Sequence, residues 1–399
     1  MTPRESPLER TAFWLIAACL GVVQFNLLTA QVLFGIAAIC WLVLVRRERT
    51  DGPARSGLPV WSWFLPLIVY GVLTVASALG SANRAASLVD CKQLVLFLMV
   101  PIVARLARGN RAMTVVNVII ALGSAGALVG LVEYLFVHAD DYRPTGLLSH
   151  YMTYSGVLML VTCTAAARLL FYTAEIVWPA VAVPALLVAL VVTRTRNAWM
   201  GALAGISALL GARRPRLLLA IPVLVALFFL LAPSQIRDRA YSIVNPHDPT
   251  NLDRLVMLQM GRDIVRDHPW LGVGPDQIKI VYAHYRERYP EAVNPTNPHL
   301  HNVPVQIAAE RGLPALAVWL WFIAMVAHTL FRQLRRGPAT AVAAAGLAAV
   351  VAMLVAGLFE YNFGDSEFLM LFLGLITLPA AAASGLQSPP GKRPPASFS

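Results

Sequence analysis

The run AMTVVNVIIALGSAGALVGLV, residues 112–132, contains no charged side chain. Because a helix rises about 1.5 Å per residue, a run of this length spans roughly 30 Å, the thickness of the hydrocarbon core of a bilayer. Similar runs recur along the 399 residues, of which 58% are hydrophobic and only 13% are charged. A soluble domain carries roughly twice that share of charge. The sequence therefore predicts an integral membrane protein.

Hydropathy over windows of roughly 19 residues predicts an all-α, polytopic integral membrane protein with about twelve transmembrane helices. The predicted spans lie near residues 12–28, 29–45, 59–79, 93–104, 113–136, 152–167, 176–193, 198–211, 217–232, 313–331, 339–357 and 368–384. A second apolar run follows the first at once, without a small-residue cleavage site, so the first is interpreted as a retained signal anchor. The four cysteines are scattered, which suggests neither a disulfide framework nor a zinc cluster.

The spans divide the chain into four parts. Residues 1–232 hold spans one to nine, and residues 233–300 form one large, mainly helical loop. Residues 301–384 hold the last three spans, and residues 385–399, rich in Pro, Ser and Gly, are predicted to be disordered. More than half of the arginines fall on the side of the termini. The positive-inside rule therefore places both termini in the cytoplasm and the loop in the periplasm.

The loop has a predicted internal structure. Apolar residues at helical spacing predict a helix over Leu252–Val265, with Asn251 or Asp253 as its cap. The helix should end at His268, because the residue before a proline is pushed out of the helical region. A second helix is predicted over Tyr282–Tyr289. The loop carries equal numbers of acidic and basic residues, so net attraction of anions is not its predicted role.

A polar motif, His299-Leu300-His301-Asn302, closes the loop, and Gly312 follows Asn302 after nine further residues. Arg254 and Asp267-His268-Pro269-Trp270-Leu271-Gly272-Val273-Gly274 precede it. In this order and spacing the chain resembles the O-antigen ligase and polymerase superfamily of membrane glycosyltransferases. Their signature is a His-Asn pair followed, nine residues on, by glycines that open a transmembrane helix. The resemblance is specific over residues 250–320 and mainly topological elsewhere.

Two departures from the family pattern concern small residues and arginines. The family's second glycine is Ala315 here, a small residue that preserves close helix packing. Thr193-Arg194-Thr195-Arg196-Asn197 stands where the family has Ser-Arg followed by a small residue. Arg196 takes the position of the family's arginine, and Arg194 is an additional cation.

The resemblance implies a bacterial inner-membrane enzyme that transfers a saccharide from undecaprenyl pyrophosphate to a sugar hydroxyl, with inversion and without a metal or other cofactor. The single large loop favours an O-antigen ligase, whose partners are lipid-linked O-antigen, lipid A core and membrane lipids. An O-antigen polymerase is the alternative within the superfamily. A lipid-linked oligosaccharide flippase is the alternative of another class, but its charged residues would lie at mid-membrane. The basic residues follow topology, so no nucleic acid partner is predicted.

His301 is the predicted general base of this reaction. A sugar hydroxyl is a poor nucleophile, and a histidine with a pKa near 6.5 is mostly neutral at periplasmic pH and can take its proton. The alternative is an interfacial histidine that only satisfies a backbone carbonyl. Asn302 and His299 are predicted to bind substrate, although His299 could instead shape the loop.

Arginines are predicted to hold the pyrophosphate, because the planar guanidinium suits phosphate oxygens. Arg196 and Arg254 occupy positions that match the family. Arg143 lies in Tyr142-Arg143-Pro144-Thr145-Gly146, which resembles the family's Arg-x-x-Gly element, and Arg194 is the fourth candidate. The alternatives are contacts with lipid headgroups or turn structure.

The remaining charged motifs are assigned to structure. Glu310 and Arg311 should form a local ion pair that lowers the cost of polar groups near the bilayer. Asp365-Ser366-Glu367 should cap the final helix, since Ser or Asp before an apolar run favours that role over metal binding.

Overall fold

The computed structural model describes residues 6–50, 61–137, 142–290, 292, 294, 296–337 and 340–386. Over these residues the chain is helical and has no strands, as the all-α prediction required. The predicted disordered tail lies outside the described residues from residue 387 on.

The described residues form sixteen α-helices and three short 3-10 helices. The α-helices are α1 (Pro7–Val22), α2 (Leu27–Thr50), α3 (Trp61–Gly80), α4 (Arg84–Asp90), α5 (Met99–Leu106), α6 (Arg111–Phe136), α7 (Tyr151–Phe171), α8 (Val177–Val192), α9 (Arg196–Arg213), α10 (Ala220–Leu231), α11 (Ser234–Tyr241), α12 (Pro249–Asp267), α13 (Ile278–Arg286), α14 (Val303–Arg336), α15 (Thr340–Ala356) and α16 (Ser366–Leu386). The 3-10 helices are Cys91–Leu98, Pro215–Leu219 and Asn362–Gly364.

Each of the twelve predicted spans coincides with one of these helices. In the described part of the chain, seven helical stretches are long and apolar enough to cross a membrane: Leu27–Glu48, Ser62–Gly80, Arg84–Leu106, Arg111–Phe136, Tyr151–Phe171, Val303–Arg336 and Ser366–Ser384. Three further apolar helices are shorter: Val177–Val192, Pro215–Leu231 and Thr340–Ala356. The protein is thus a multi-pass membrane protein. The number twelve stays a prediction, because α1 and α9 belong to neither group.

Small residues let α9 and α15 pack closely at the centre of the bundle. A Cβ on Gly201 would lie 2.8 Å from the Ala352 carbonyl oxygen, and one on Gly205 would lie 3.0 Å from that of Ala348. Small residues at such positions allow helix backbones to approach. Since residue numbers rise along α9 as they fall along α15, the helices are antiparallel. The start of α9, which carries Arg196, therefore lies level with the end of α15.

The bundle has two distinct ends. At one end Arg105 forms ion pairs with Glu9, at 3.0 Å, and with Glu48. The Gly109 N–H donates to the Ala381 carbonyl over 3.1 Å, so the last turns of α16 lie at this end too. The start of α16 and the start of α14 therefore lie at the opposite end, which we call the loop end because α11, α12 and α13 lie there.

Helix α14, which follows the loop, is broken at Gly312, whose φ of 83° is not helical. The N–H of Leu313 turns away from the helix, and Pro314 has no N–H to donate. In an unbroken helix these two positions would bond to the carbonyls of Ala309 and Glu310. The break therefore exposes two backbone carbonyls inside the protein, where each needs another donor.

The loop supplies those donors. The N–H groups of Val273 and Gly274 donate to the two exposed carbonyls, each over 2.9 Å, and the Pro269 carbonyl accepts from Leu313 N over 2.8 Å. Ser77, on α3, donates to the second of these carbonyls over 2.8 Å. Residues 269–274 thus hold the loop against α14 through backbone hydrogen bonds, and we call this segment the loop clamp.

The loop helices differ from the prediction at their starts. Asp248 caps α12, its carboxylate accepting from the N–H groups of Thr250 and Asn251. The predicted caps, Asn251 and Asp253, were wrong, because a proline follows Asp248 and fixes the first helical position there. The end of α12 at His268 is as predicted. The second helix, α13, begins four residues earlier than predicted.

Candidate active site

His301 and Glu360 form a close pair at the loop end. Nδ1 of His301 lies 3.1 Å from each carboxylate oxygen of Glu360, and both side chains are largely buried. Since a carboxylate only accepts, Nδ1 carries the proton and donates it to this contact. The other ring nitrogen, Nε2, lies 3.3 Å from Oδ1 of Asn297. Glu360 therefore fixes both the orientation and the tautomer of the imidazole.

The pair shifts the pKa of both partners. Burial lowers the pKa of His301, but the hydrogen bond and the negative charge of Glu360 outweigh it, so the pKa is raised above 6.5. Burial raises the pKa of Glu360, but the hydrogen bond from His301 and its charge leave it lowered. His301 thus holds a proton more firmly than a free histidine, and Glu360 stays ionised.

Hydrogen bonds tie the start of α14 to the segment that carries Glu360. Asn302 caps α14 by accepting from Val305 N over 3.0 Å, and its Nδ2 donates to the Leu358 carbonyl over 3.0 Å. The Val303 N–H donates to the Gly357 carbonyl over 2.7 Å. Both ends of the Asn302 amide are therefore engaged within the protein, directly behind His301.

His299 packs against Tyr361, the residue that follows Glu360. Its ring centroid is 5.3 Å from that of Tyr361, and burial lowers the pKa of His299, which favours a neutral ring. Its buried Nδ1 has no hydrogen-bond partner in the described part of the chain.

Arg196, at the start of α9, is buried and reaches into the loop. Its Nη1 donates to the carbonyl and the hydroxyl of Ser242, both over 2.8 Å, and lies 3.4 Å from Asp248. Its Nη2 is buried without a hydrogen-bond partner among the residues that the structure describes. Nη1 of the guanidinium is therefore anchored to the loop, while Nη2 retains its N–H donors for an anion.

Arg254, on α12, lies beside the histidine and carboxylate pair. Its guanidinium carbon is 6.0 Å from the ring centroid of Phe359, the neighbour of Glu360 in sequence. Burial lowers the pKa of Arg254, and the charge of Glu360 opposes that effect. In turn the positive charge of Arg254 acts to lower the pKa of His301.

Three further arginines complete the group. Arg143 stacks on the ring of Tyr151, 4.7 Å from its centroid, and Nε of Arg239 donates to the Arg194 carbonyl over 3.4 Å. Burial lowers the pKa of Arg239 to about 10, and the nearby charges of Arg196 and Arg143 add to this. Nη2 of Arg194 donates to the carbonyl of Tyr142, the neighbour of Arg143 in sequence. We call five residues the arginine cluster: Arg143, Arg194, Arg196, Arg239 and Arg254.

The fold thus brings together the four arginines predicted from sequence, and it adds Arg239 and Glu360, which were missed. The loop contains equal numbers of acidic and basic residues, so its net charge did not indicate the cluster. Asp263 and Asp267 contact Arg288 at 3.6 and 3.7 Å, away from the cluster, and also accept from tyrosine hydroxyls. Two acidic side chains of the loop are therefore paired with Arg288 instead of with the cluster, which a count of charges cannot reveal.

The predicted pair of Glu310 and Arg311 is confirmed. Nη1 of Arg311 lies 2.6 Å from the Glu310 carboxylate and 3.2 Å from the Tyr361 hydroxyl, and Nη2 lies 3.7 Å from Asp90. Arg311 thus ties the broken part of α14 to α4 and to Tyr361.

The predicted capping segment precedes α16. The carbonyl of Asp365 accepts from Leu369 N over 2.9 Å, as the residue before a helix should, while its carboxylate accepts from the Thr153 hydroxyl over 3.2 Å. Across the described ranges, no group of three or more His, Cys, Asp or Glu side chains is arranged to hold a metal ion.

Comparison with known proteins identifies one segment. Residues 180–320 match the family model described as O-antigen ligase. The match runs from α8 into α14 and includes four members of the arginine cluster, the loop and His301. No curated protein matches the chain.

Proposed function

We propose that this chain, whose residues 180–320 match the O-antigen ligase family model, is an O-antigen ligase. It would transfer a polysaccharide from undecaprenyl pyrophosphate to a sugar hydroxyl of lipid A core, with inversion. The observation that carries the proposal is one base, His301, held by a buried carboxylate beside five arginines.

In the proposed reaction the acceptor hydroxyl attacks the anomeric carbon while its proton passes to Nε2 of His301. The bond from the anomeric carbon to the pyrophosphate oxygen breaks, and pyrophosphate leaves with the bonding electrons. Glu360 stabilises the imidazolium that forms, as a carboxylate does behind a histidine base in other enzymes.

The arginine cluster suits the leaving group. Pyrophosphate carries several negative charges, and guanidinium groups bind phosphate oxygens through two parallel hydrogen bonds. Of the two terminal nitrogens of Arg196, the carboxylate of Asp248 contacts Nη1, and Nη2 remains for a ligand oxygen. Held at the point where charge develops, these cations would stabilise the transition state more than the bound substrate.

An apolar groove beside the cluster suits the donor's lipid tail. It lies between α6, α8, α10 and α11 and has a volume of about 520 Å³. Its lining is Tyr134, Leu187, Val188, Val191, Val192, Leu224, Leu227, Phe228, Leu231, Ala232, Pro233 and Ile236. Ile236 shares α11 with Arg239, so a polyprenyl chain in this groove would bring its pyrophosphate to the arginines.

We assign the loop end to the periplasm of a bacterial inner membrane. Arginines at the opposite end support this orientation through the positive-inside rule. They are Arg46, Arg47, Arg108, Arg213, Arg214, Arg335 and Arg336.

Lipopolysaccharide from a strain that lacks this protein tests the function. Loss of a ligase leaves bare core, with long polymer accumulating on undecaprenyl pyrophosphate. Loss of a polymerase instead leaves core that carries a single repeat unit. A core that still carries the full polymer ladder would rule out both activities.

Arg254→Ala should raise the donor KM about tenfold or more, the effect of losing a hydrogen bond to a charged group. Removing its positive charge should also raise the pKa of His301, so the acid limb of the pH profile should move to higher pH. The measurement is the rate of transfer against donor concentration and pH. Arg262→Ala is the matched control, because Arg262 is exposed on the same helix, α12. Equal donor KM values for the two variants would remove Arg254 from the donor site.

A further inference from the structure

The proton-accepting atom of His301 is not free. Since Nδ1 is committed to Glu360, only Nε2 can take a proton from the acceptor, and Nε2 faces Oδ1 of Asn297 at 3.3 Å. Asn297 is buried, with 6% of its surface exposed. An acceptor hydroxyl must therefore take the position beside Nε2 that the Asn297 amide oxygen now holds.

Asp253 lies on the other side of the Asn297 amide. Nδ2 of Asn297 donates to Oδ2 of Asp253 over 3.4 Å, and Nδ2 of Asn294 donates to the same oxygen over 2.8 Å. The other carboxylate oxygen, Oδ1, is buried and has no hydrogen-bond partner among the described residues. Leaving a buried acceptor without a donor costs about 1–3 kcal/mol, and more for a charged group. The site is therefore short of one hydrogen-bond donor.

The Asn297 amide bridges a base and a carboxylate with two polar atoms on neighbouring positions. Two adjacent hydroxyl groups of a sugar can make the same bridge, since each hydroxyl both donates and accepts. Oδ1 of Asn297 can accept from Nε2 only when His301 is protonated, and in the neutral ring that acts as the base neither atom carries a hydrogen. The contact of Asn297 with Asp253 is long and hence weak, at 3.4 Å. The Asn297 amide therefore costs little to displace. Asn294 holds the same carboxylate by a shorter bond, so Asp253 stays in place when Asn297 moves.

We propose that Nε2 of His301 and Oδ1 of Asp253 form the acceptor subsite and bind a sugar with two adjacent hydroxyl groups in place of the Asn297 amide. One hydroxyl is the nucleophile and donates to Nε2 of His301. Its neighbour donates to Oδ1 of Asp253. This inference rests on the proposed function and names the part of the acceptor that the site recognises.

Transfer by the full-length protein in lipid nanodiscs tests the subsite. The donor is undecaprenyl-pyrophosphate-linked O-antigen and the acceptor is lipopolysaccharide without O-antigen, both from the source bacterium. Asp253→Asn keeps the side-chain shape and one acceptor for the asparagines, but replaces the other oxygen by a donor. Asp253→Asn should raise the acceptor KM about tenfold or more and leave the donor KM unchanged. Asn297→Ala should leave the acceptor KM at or below the parent value, because no amide then has to be displaced.

Asp263→Asn is the matched control, because Asp263 lies on the same helix and its carboxylate contacts Tyr289 and Arg288 instead of the asparagines. Its acceptor KM should stay close to that of the parent. A second readout separates binding from a structural role: the charge of Asp253 acts to raise the pKa of His301, so Asp253→Asn should move the acid limb to lower pH. Asp263→Asn should not move it.

Each result decides between the two proposals. An acceptor KM for Asp253→Asn that matches that of Asp263→Asn, a raised acceptor KM for Asn297→Ala, or a change in donor KM instead, overturns the subsite alone. Transfer by the parent to a repeat unit instead of core overturns the ligase assignment, and the variants are then compared on that acceptor. No transfer to either acceptor overturns both the subsite and the proposed function.

Discussion

His301→Ala should fold, reach the membrane and transfer polysaccharide at least about a hundredfold more slowly than the parent, the usual contribution of a general base. Nε2 of His301 is the proton acceptor of the proposed reaction, so its loss removes the step that activates the hydroxyl. The measurements are the initial rate of transfer in nanodiscs and O-antigen display in a complemented strain. His284→Ala, an exposed histidine of the same loop, is the control and should retain activity. Full display with His301→Ala would eliminate the general base.

The carboxylate of Glu360 makes the expected transfer rate depend on pH, because it raises the pKa of His301. His301 acts only when neutral, and its raised pKa means that the rate falls as pH drops through a value above 6.5. Glu360→Gln keeps the shape of the side chain and removes the charge that raises this pKa. The maximal rate should therefore fall and the acid limb should move to lower pH. An acid limb that does not move would separate Glu360 from the titrating group.

Local sequence located the helices and indicated His301 as the candidate base, but it did not indicate which side chains contact His301. Apolar runs locate helices because burial in lipid is decided residue by residue along one segment. Glu360 lies 59 residues beyond His301, and the two meet because α14, α15 and α16 pack at the loop end. That packing depends on contacts such as those of Gly201 and Gly205 with α15, which no periodicity in α9 alone reveals. Asp253 was noticed only as a helix cap, although its carboxylate faces the asparagines near His301.

Gly312 shows a different limit of the sequence. Its spacing from Asn302 carries the resemblance to the superfamily, yet the spacing does not explain why a glycine is needed there. The structure gives the reason in backbone terms. One helical turn must be broken so that the loop can donate to the two carbonyls exposed by Leu313 and Pro314. The motif therefore combines His301, the candidate base, with the break in α14 that fixes the loop against that helix.

Gly312→Ala should strongly reduce the amount of folded protein, and the cost in stability should be about 3 kcal/mol or more. At a φ of 83° a side chain is strained, and a Cβ would lie 2.0 Å from the Trp270 carbonyl oxygen and 2.8 Å from Leu271 N. Both neighbours are backbone atoms of the loop clamp, so they cannot move aside as a flexible side chain could. The measurements are the yield of protein in membranes and its unfolding temperature in detergent.

Gly35→Ala is the control, since a Cβ at Gly35 meets no atom within 4 Å and the position lies within α2. It should unfold at the parent temperature or slightly above it, because the added methyl group has space and alanine favours a helix over glycine. Equal unfolding temperatures for the two variants would show that the loop is not fixed through Gly312. If the clamp does open in Gly312→Ala, α12 separates from α14, and Asp253 and Arg254 move away from His301 together. Surviving Gly312→Ala protein should therefore lose affinity for both donor and acceptor while its histidine is intact, a combination that no single substitution within either substrate site should reproduce.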